Sequence, residues 1–148
     1  DTLPSTSGVT SKAGHVLVAF FGGAGQYAVL KVRPAAVQRR APGLATAALS
    51  AQRPEFDTLA SGAWTAGLRL AEHGGSVPRL VKALGAPIWS PNFRDLTPEL
   101  LAEARALGLR VIPWTVNEAA DIARLVAWGV DGIISDHPER VVQALPRR

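Results

Sequence analysis

The chain predicts an α/β protein built on parallel strands, and three observations support that class. Short apolar runs, several of them β-branched, recur along the 148 residues, and most are followed by a stretch whose apolar positions keep helical spacing. The last unit is complete: Arg110-Val-Ile-Pro-Trp-Thr-Val-Asn117, a helix, then Gly129-Val-Asp-Gly-Ile-Ile-Ser-Asp-His-Pro138. Its strands are continuous apolar runs (Val111-Ile112 and Ile133-Ile134) rather than alternating ones, as in strands covered on both faces. A strand, a helix and a second strand of one sheet make a parallel pair.

In chain order, residues 1–14 are polar, rich in Ser, Thr and Gly, and read as an N-terminal tail, with residues 15–148 as the single domain. His15-Val-Leu-Val-Ala-Phe-Phe21 is a buried strand. Gly22-Gly-Ala-Gly25 follows it but fits neither the dinucleotide fingerprint nor the P-loop, so it reads as a connector. A helix over 26–40 is interrupted by Pro34, since a proline inside a helix removes a hydrogen bond and costs about 3 kcal/mol. Residues 44–50 form a short strand, although alanine is a weak strand former.

Residues 51–75, with Trp64 and His73, are the longest irregular stretch, and a loop of that length in a compact domain is functional or mobile. His73 reads as surface, because acid-base or metal work needs partners within reach. Ser76 caps a helix through Val77, Leu80, Val81 and Leu84 that stops at Gly85. Pro87–Asn92 is the next strand. Thr97 caps the following helix with Pro98 at its first position, Leu96 and Leu101 form a hydrophobic staple, and Gly108 ends it. After the strand at 111–116, Asn117 caps a helix whose inner face holds Ala119, Ile122, Leu125 and Val126, with Gly129 as its stop. Asp131 is a turn former, and Asp136 caps the terminal helix in a capping box with Glu139.

Composition narrows the function. At 47% apolar the chain has material for one core, and no run approaches a membrane span. It begins with Asp and has no methionine, so the natural start is expected to be missing. The absence of cysteine excludes disulfides and thiolate metal sites, and suits cytoplasm or periplasm, the cytoplasm being slightly favoured. The net charge of +4 comes from arginines scattered singly or in pairs, among them Arg53, Arg69, Arg79, Arg105 and Arg124, expected on outer helix faces. Basic and aromatic residues are not interleaved, so no nucleic-acid partner is expected.

Repeated strand-helix units mean either an open doubly wound sheet or part of a (β/α)8 barrel, and the pattern alone leaves both open. Trp114-Thr-Val-Asn117, a helix of about a dozen residues, then Gly129-Val-Asp-Gly-Ile-Ile-Ser-Asp-His-Pro138 resembles the C-terminal end of glycerophosphodiester phosphodiesterases, Ser135 standing where the family usually has threonine. The resemblance implies a partial TIM barrel, with the five strands as the fourth through eighth of the family fold. It also implies a parent enzyme that cleaves glycerophosphodiesters to glycerol 3-phosphate and an alcohol, using Mg2+ or Ca2+.

Such hydrolysis needs carboxylates to hold the cation and a histidine to act on the attacking or leaving oxygen. The family supplies them from a His-Arg-Gly, a Glu-x-Asp, a His-Asp and a Glu-x-Lys on its early strands. The expectation is that none of these motifs occurs in this chain. Catalytic and metal-ligating residues are therefore expected to be absent, with no cofactor bound to this chain alone. Asp95, Glu118 and Asp136 fall at strand ends but on different loops, and His137 is the one histidine at the face where barrel enzymes work.

The expected site residues bind rather than react. Trp114 ends a strand at the pocket mouth, where the family's tryptophan lines the cleft, and Asn92 and Phe93 are placed by the same argument. Trp89 and Trp128 are assigned to packing. The reading is thus the substrate-pocket half of a phosphodiesterase, with a small phosphodiester as ligand. The alternative is a non-catalytic half-barrel, a binding or assembly module prone to self-association through open sheet edges.

Overall fold

The computed structural model describes residues 46–60, 62 and 64–146. The tail at 1–14, the strand at 15–21, the glycine turn and the Pro34 break lie outside the described residues.

Three strands form a parallel sheet in the order β1 (Ala47–Ser50), β4 (Ile88–Pro91), β5 (Arg110–Val111). Two helices make the crossovers, α1 (Val77–Leu84) between β1 and β4 and α2 (Pro98–Ala106) between β4 and β5. The helices α3 (Ala119–Trp128) and α4 (Pro138–Ala144) complete the chain. The stretch expected to be irregular contains a small antiparallel pair, β2 (Gln52–Arg53) with β3 (Phe56–Asp57), and a 3-10 turn at Leu70–His73.

Local signals place the middle helices. The Ser76 hydroxyl accepts from the Arg79 amide at 3.2 Å, and Gly85 closes α1 at a φ of 75°, which favours glycine. Thr97 caps α2 by accepting from the Leu100 amide at 3.3 Å, with Pro98 at the first helical position. Leu96 and Leu101 are both buried in the core. The last two helices are capped differently from expectation. The N-cap of α3 is Glu118 rather than Asn117, that of α4 is His137 rather than Asp136, and neither makes a side-chain cap bond. Asn117 and Asp136 face each other instead.

The last expected strand is not regular. Asp131, Ile134 and Val116 do join it to the chain at β5, through Asp131 N to Val111 O, Ile134 N to Pro113 O and Val116 N to Ile134 O, each 2.9 Å. Two features break the ladder. Pro113 has no N–H to give, and the Val111 amide donates to the Asp131 carboxylate at 2.8 Å instead of to a backbone carbonyl. Asp131 sits at a bend, as expected of a turn former, and from there its amide and carboxylate both tie the segment to Val111. Likewise β5 is regular only at 110–111, and the expected strand to 116 continues as a single parallel bridge, Asn92 with Trp114.

Strand alternation divides the sheet into two faces. Ala48, Trp89 and Val111 are register partners on the face covered by helices, where Val77, Val81, Leu101, Ala104, Ile122 and Leu125 pack with them. Leu101, Ile122 and Leu125 are at most 2% exposed, and such burial stabilises by about 1.5–3 kcal/mol each. The buried Trp89 indole donates to the Ser50 hydroxyl at 2.8 Å. Leu49 and Ser90 are partners on the opposite face, and continuing the β4–β5 register puts Ile112 beside Ser90.

Candidate substrate pocket wall

At the C-terminal ends of the strands the residues of that second face are Asn92 and Trp114, which meet in the parallel bridge. The Trp114 amide donates to the Pro91 carbonyl and its carbonyl accepts from the Phe93 amide, both at 3.0 Å. Its indole Nε1 donates to the Ser90 carbonyl at 2.8 Å. The half-buried ring is thus fixed by its one polar atom and offers its apolar surface. The Asn92 amide donates to the Ser50 carbonyl at 2.7 Å, and Oδ1 accepts from the Arg94 amide at 3.0 Å. Asn92 therefore joins all three strand ends, and its Nδ2 has no hydrogen bond among the described residues.

Phe93 points the other way. It is 9% exposed and packs in the core with Leu59 and Leu96, while the Arg94 guanidinium lies 4.9 Å from its ring centroid. Phe93 is thus a core residue and not, as expected, one beside Asn92 and Trp114 at the strand ends. Trp89 is a core residue, and Trp128 is half-buried beneath the Arg124 guanidinium at 5.3 Å.

A polar clamp stands at the next strand end. Asn117 Oδ1 accepts from the Ser135 hydroxyl at 3.2 Å and the Asp136 amide at 2.9 Å, and Nδ2 donates to Asp136 Oδ2 at 2.7 Å. Ser135 Oγ also accepts from the His137 amide at 3.0 Å, and the Asn117 carbonyl accepts from Arg140 Nη1 at 2.9 Å.

The acids do not converge on a cation. Asp95 Oδ2 accepts from the Gln52 amide at 2.8 Å, Asp136 is held by Asn117, and Glu118 is exposed at the start of α3. Among the described residues no group of three or more His, Asp or Glu is placed to hold a metal ion. His137 lies 3.6 Å from Glu139 at the surface, and Nε2 of the half-buried His73 lacks a hydrogen-bond partner among the described residues.

Two sequence expectations need correction. A Glu-x-Asp triplet does occur, Glu55-Phe56-Asp57. It sits in the antiparallel β2–β3 hairpin, Glu55 in the turn and Phe56-Asp57 on β3, rather than on a parallel strand, and Asp57 Oδ1 is held by the Leu59 and Ala60 amides at 2.7 and 3.0 Å, so it shapes the chain there. Arg53 and Arg69 are not on helix faces. Arg69 precedes the 3-10 turn, and Arg53 lies on β2, three residues past the end of β1. Sequence reasoning missed Arg53 because a hairpin of two-residue strands leaves too short a pattern to read.

Comparison with known proteins gives a consistent result. The profile of the glycerophosphoryl diester phosphodiesterase family matches residues 35–140. A glycerophosphodiester phosphodiesterase of Caldanaerobacter subterraneus is 38% identical over 52 residues, which take in 35% of this chain and 21% of that protein. One from Bacillus subtilis is 39% identical over 57 residues, 38% of this chain and 18% of that protein. Among solved structures, a Silicibacter pomeroyi protein assigned to glycerophosphoryl diester phosphodiesterases is similar at 39% identity and a TM-score of 0.58, over 78% of this chain and 36% of that one. A phosphodiesterase of Oleispira antarctica, solved with the product sn-glycerol-3-phosphate, is similar at 16% identity and a TM-score of 0.52, over 78% of this chain and 40% of that one. These structures are TIM barrels, and the match takes in well under half of each. No helix among the described residues is long and apolar enough to cross a membrane.

Proposed function

Since the chain belongs to the glycerophosphoryl diester phosphodiesterase family, we propose that it forms the substrate-pocket part of such an enzyme's barrel. In this reading residues 1–14 are a polar tail and residues 15–148 supply the fourth through eighth strands. The reaction is hydrolysis of a glycerophosphodiester to glycerol 3-phosphate and an alcohol. The observation that supports it best is the Asn92–Trp114 bridge, which sets an apolar ring and an amide donor side by side at the C-terminal ends of the strands, where barrel enzymes bind substrate.

Each residue then has a limited task. The Trp114 ring packs against the carbon skeleton of the glycerol or alcohol group and keeps water from it. Asn92 Nδ2 donates to a hydroxyl or phosphate oxygen, and Phe93 backs the wall from the core side. A divalent cation, when bound, would supply Lewis-acid polarisation of the phosphoryl oxygen in the parent enzyme. Among the described residues no group of His, Asp or Glu fits it, so those residues are assigned neither the metal nor the acid-base step. The expected result for the purified 148-residue chain with Mg2+ or Ca2+ is no turnover of glycerophosphocholine. Metal-dependent release of glycerol 3-phosphate would overturn the assignment.

A second reading, a half-barrel that binds or assembles without catalysis, is favoured by the half-buried state of Leu49, Ile112 and Ile134 among the described residues.

A further inference from the structure

We infer that Arg53 is a phosphate-binding residue of the pocket described above, an assignment that rests on that pocket being a substrate site. The chain leaves β1 at Ser50 and turns at once into the β2–β3 pair, so this hairpin rises from the same sheet end as Asn92 and Trp114. It is fastened to the turn after β4 by Asp95, whose Oδ2 accepts from the Gln52 amide at 2.8 Å and whose own amide donates to the Asn92 carbonyl at 3.0 Å. Asp95 thus links the base of the hairpin to the residue that bridges to Trp114.

The guanidinium is held but not satisfied. Nη1 lies 3.8 Å from Asp95 Oδ1, too far for a hydrogen bond, and Nε lies 3.9 Å from Glu55 Oε1. Nε is buried and has no hydrogen-bond partner among the described residues. A buried donor left unpaired is costly, and more so on a charged group. The Asp95 carboxylate, 15% exposed, orients the guanidinium from one side without saturating it, while the Arg53 side chain keeps 36% of its surface open. With Nε buried, the Nη edge of the planar guanidinium is the part left to offer, and such an edge suits a phosphate oxygen pair, which accepts two parallel hydrogen bonds. The register adds a second feature: Arg53 and Phe56 are paired across the hairpin, and paired residues share a face. Phe56 is 42% exposed and stands edge-on to Trp64, ring centroids 5.9 Å apart. The hairpin therefore presents a cation beside an exposed aromatic ring, the complement of an anionic diester with an apolar part. Asp95 is a positioning residue in this arrangement.

The test is calorimetric titration of the purified chain with glycerol 3-phosphate, comparing wild type, Arg53→Gln, Arg53→Lys and Trp114→Ala, with thermal melts to establish folding. Arg53→Gln is expected to weaken binding by about tenfold or more, the scale of a charge-assisted hydrogen bond lost. Arg53→Lys keeps the charge without the planar fork and should fall between wild type and Arg53→Gln. If Trp114→Ala weakens binding while both Arg53 variants match wild type, the Arg53 assignment is overturned and the pocket stands. If wild type does not bind, both fall together. Should Arg53→Gln fail to fold, Arg53→Lys decides, and wild-type affinity in that variant overturns the fork.

Discussion

Asn117 joins two strand ends through one amide, accepting twice at Oδ1 and donating from Nδ2 to Asp136. Replacement by alanine would leave the Ser135 hydroxyl and the Asp136 amide without their acceptor and the Asp136 carboxylate without its donor. An unpaired polar group costs about 1–3 kcal/mol when buried and less where water reaches it, as it does at Asp136. Asn117→Ala is therefore expected to lose roughly 2 kcal/mol in a urea unfolding curve followed by circular dichroism. A loss below about 0.5 kcal/mol, the range of an ordinary surface substitution, would remove the clamp from the account. The residue itself is prominent in the sequence, but its role there reads as a helix cap. The true partners lie 18 and 19 residues away, and a capping rule searches only three or four. Trp114 was legible for the opposite reason, since its position at a strand end follows from the strand alone.

The start of α2 shows how far local rules reach. Thr97, Pro98 and Glu99 occupy its cap and first turn, and the capping interactions of Thr97 reach no further than Leu101. The Glu99 carboxyl is held below the usual carboxylate value of 4.5, first by a hydrogen bond from the Thr97 side chain and then by its own backbone amide. A lowered pKa in the folded state means that protons bind the unfolded chain more readily. The contribution of Glu99 is thus complete above the ordinary carboxylate pKa and is lost as pH falls through the lowered folded value. Glu99→Gln is expected to flatten this part of the acid limb of stability, read as denaturant midpoints at neutral and acid pH. Identical pH slopes for the variant and the wild type would refute the assignment. Elements organised this way, α1 and α2, were legible almost to the residue. By contrast, α3 and α4 were legible as helices but not in their caps, and the β2–β3 hairpin was not legible at all. Its strands are two residues each, and Asp95, 43 positions from Gln52, fastens it.

For the whole chain, parallel strand order was legible because apolar runs alternate with helical spacing, whereas the barrel required the family resemblance. Periodicity reports one buried helical face per unit and says nothing about how a sheet curves. The observed sheet is packed by helices on the Trp89 and Val111 face, while Leu49, Ile112, Trp114 and Ile134 remain half-buried among the described residues. In a closed barrel such residues are packed by side chains from strands across the interior. If the chain holds only the later strands, as proposed above, these residues would be covered otherwise, by other parts of the chain or by pairing with another copy. In that reading, apolar residues left half-buried on the sheet face favour the second route as concentration rises. Multi-angle light scattering over a dilution series is therefore expected to show mass above the 15.6 kDa of one chain, falling on dilution, together with binding of a dye that reports apolar surface. A monomer at every concentration with no dye binding would mean that the chain closes its own interior, and the assembly reading would be withdrawn while the pocket reading stood.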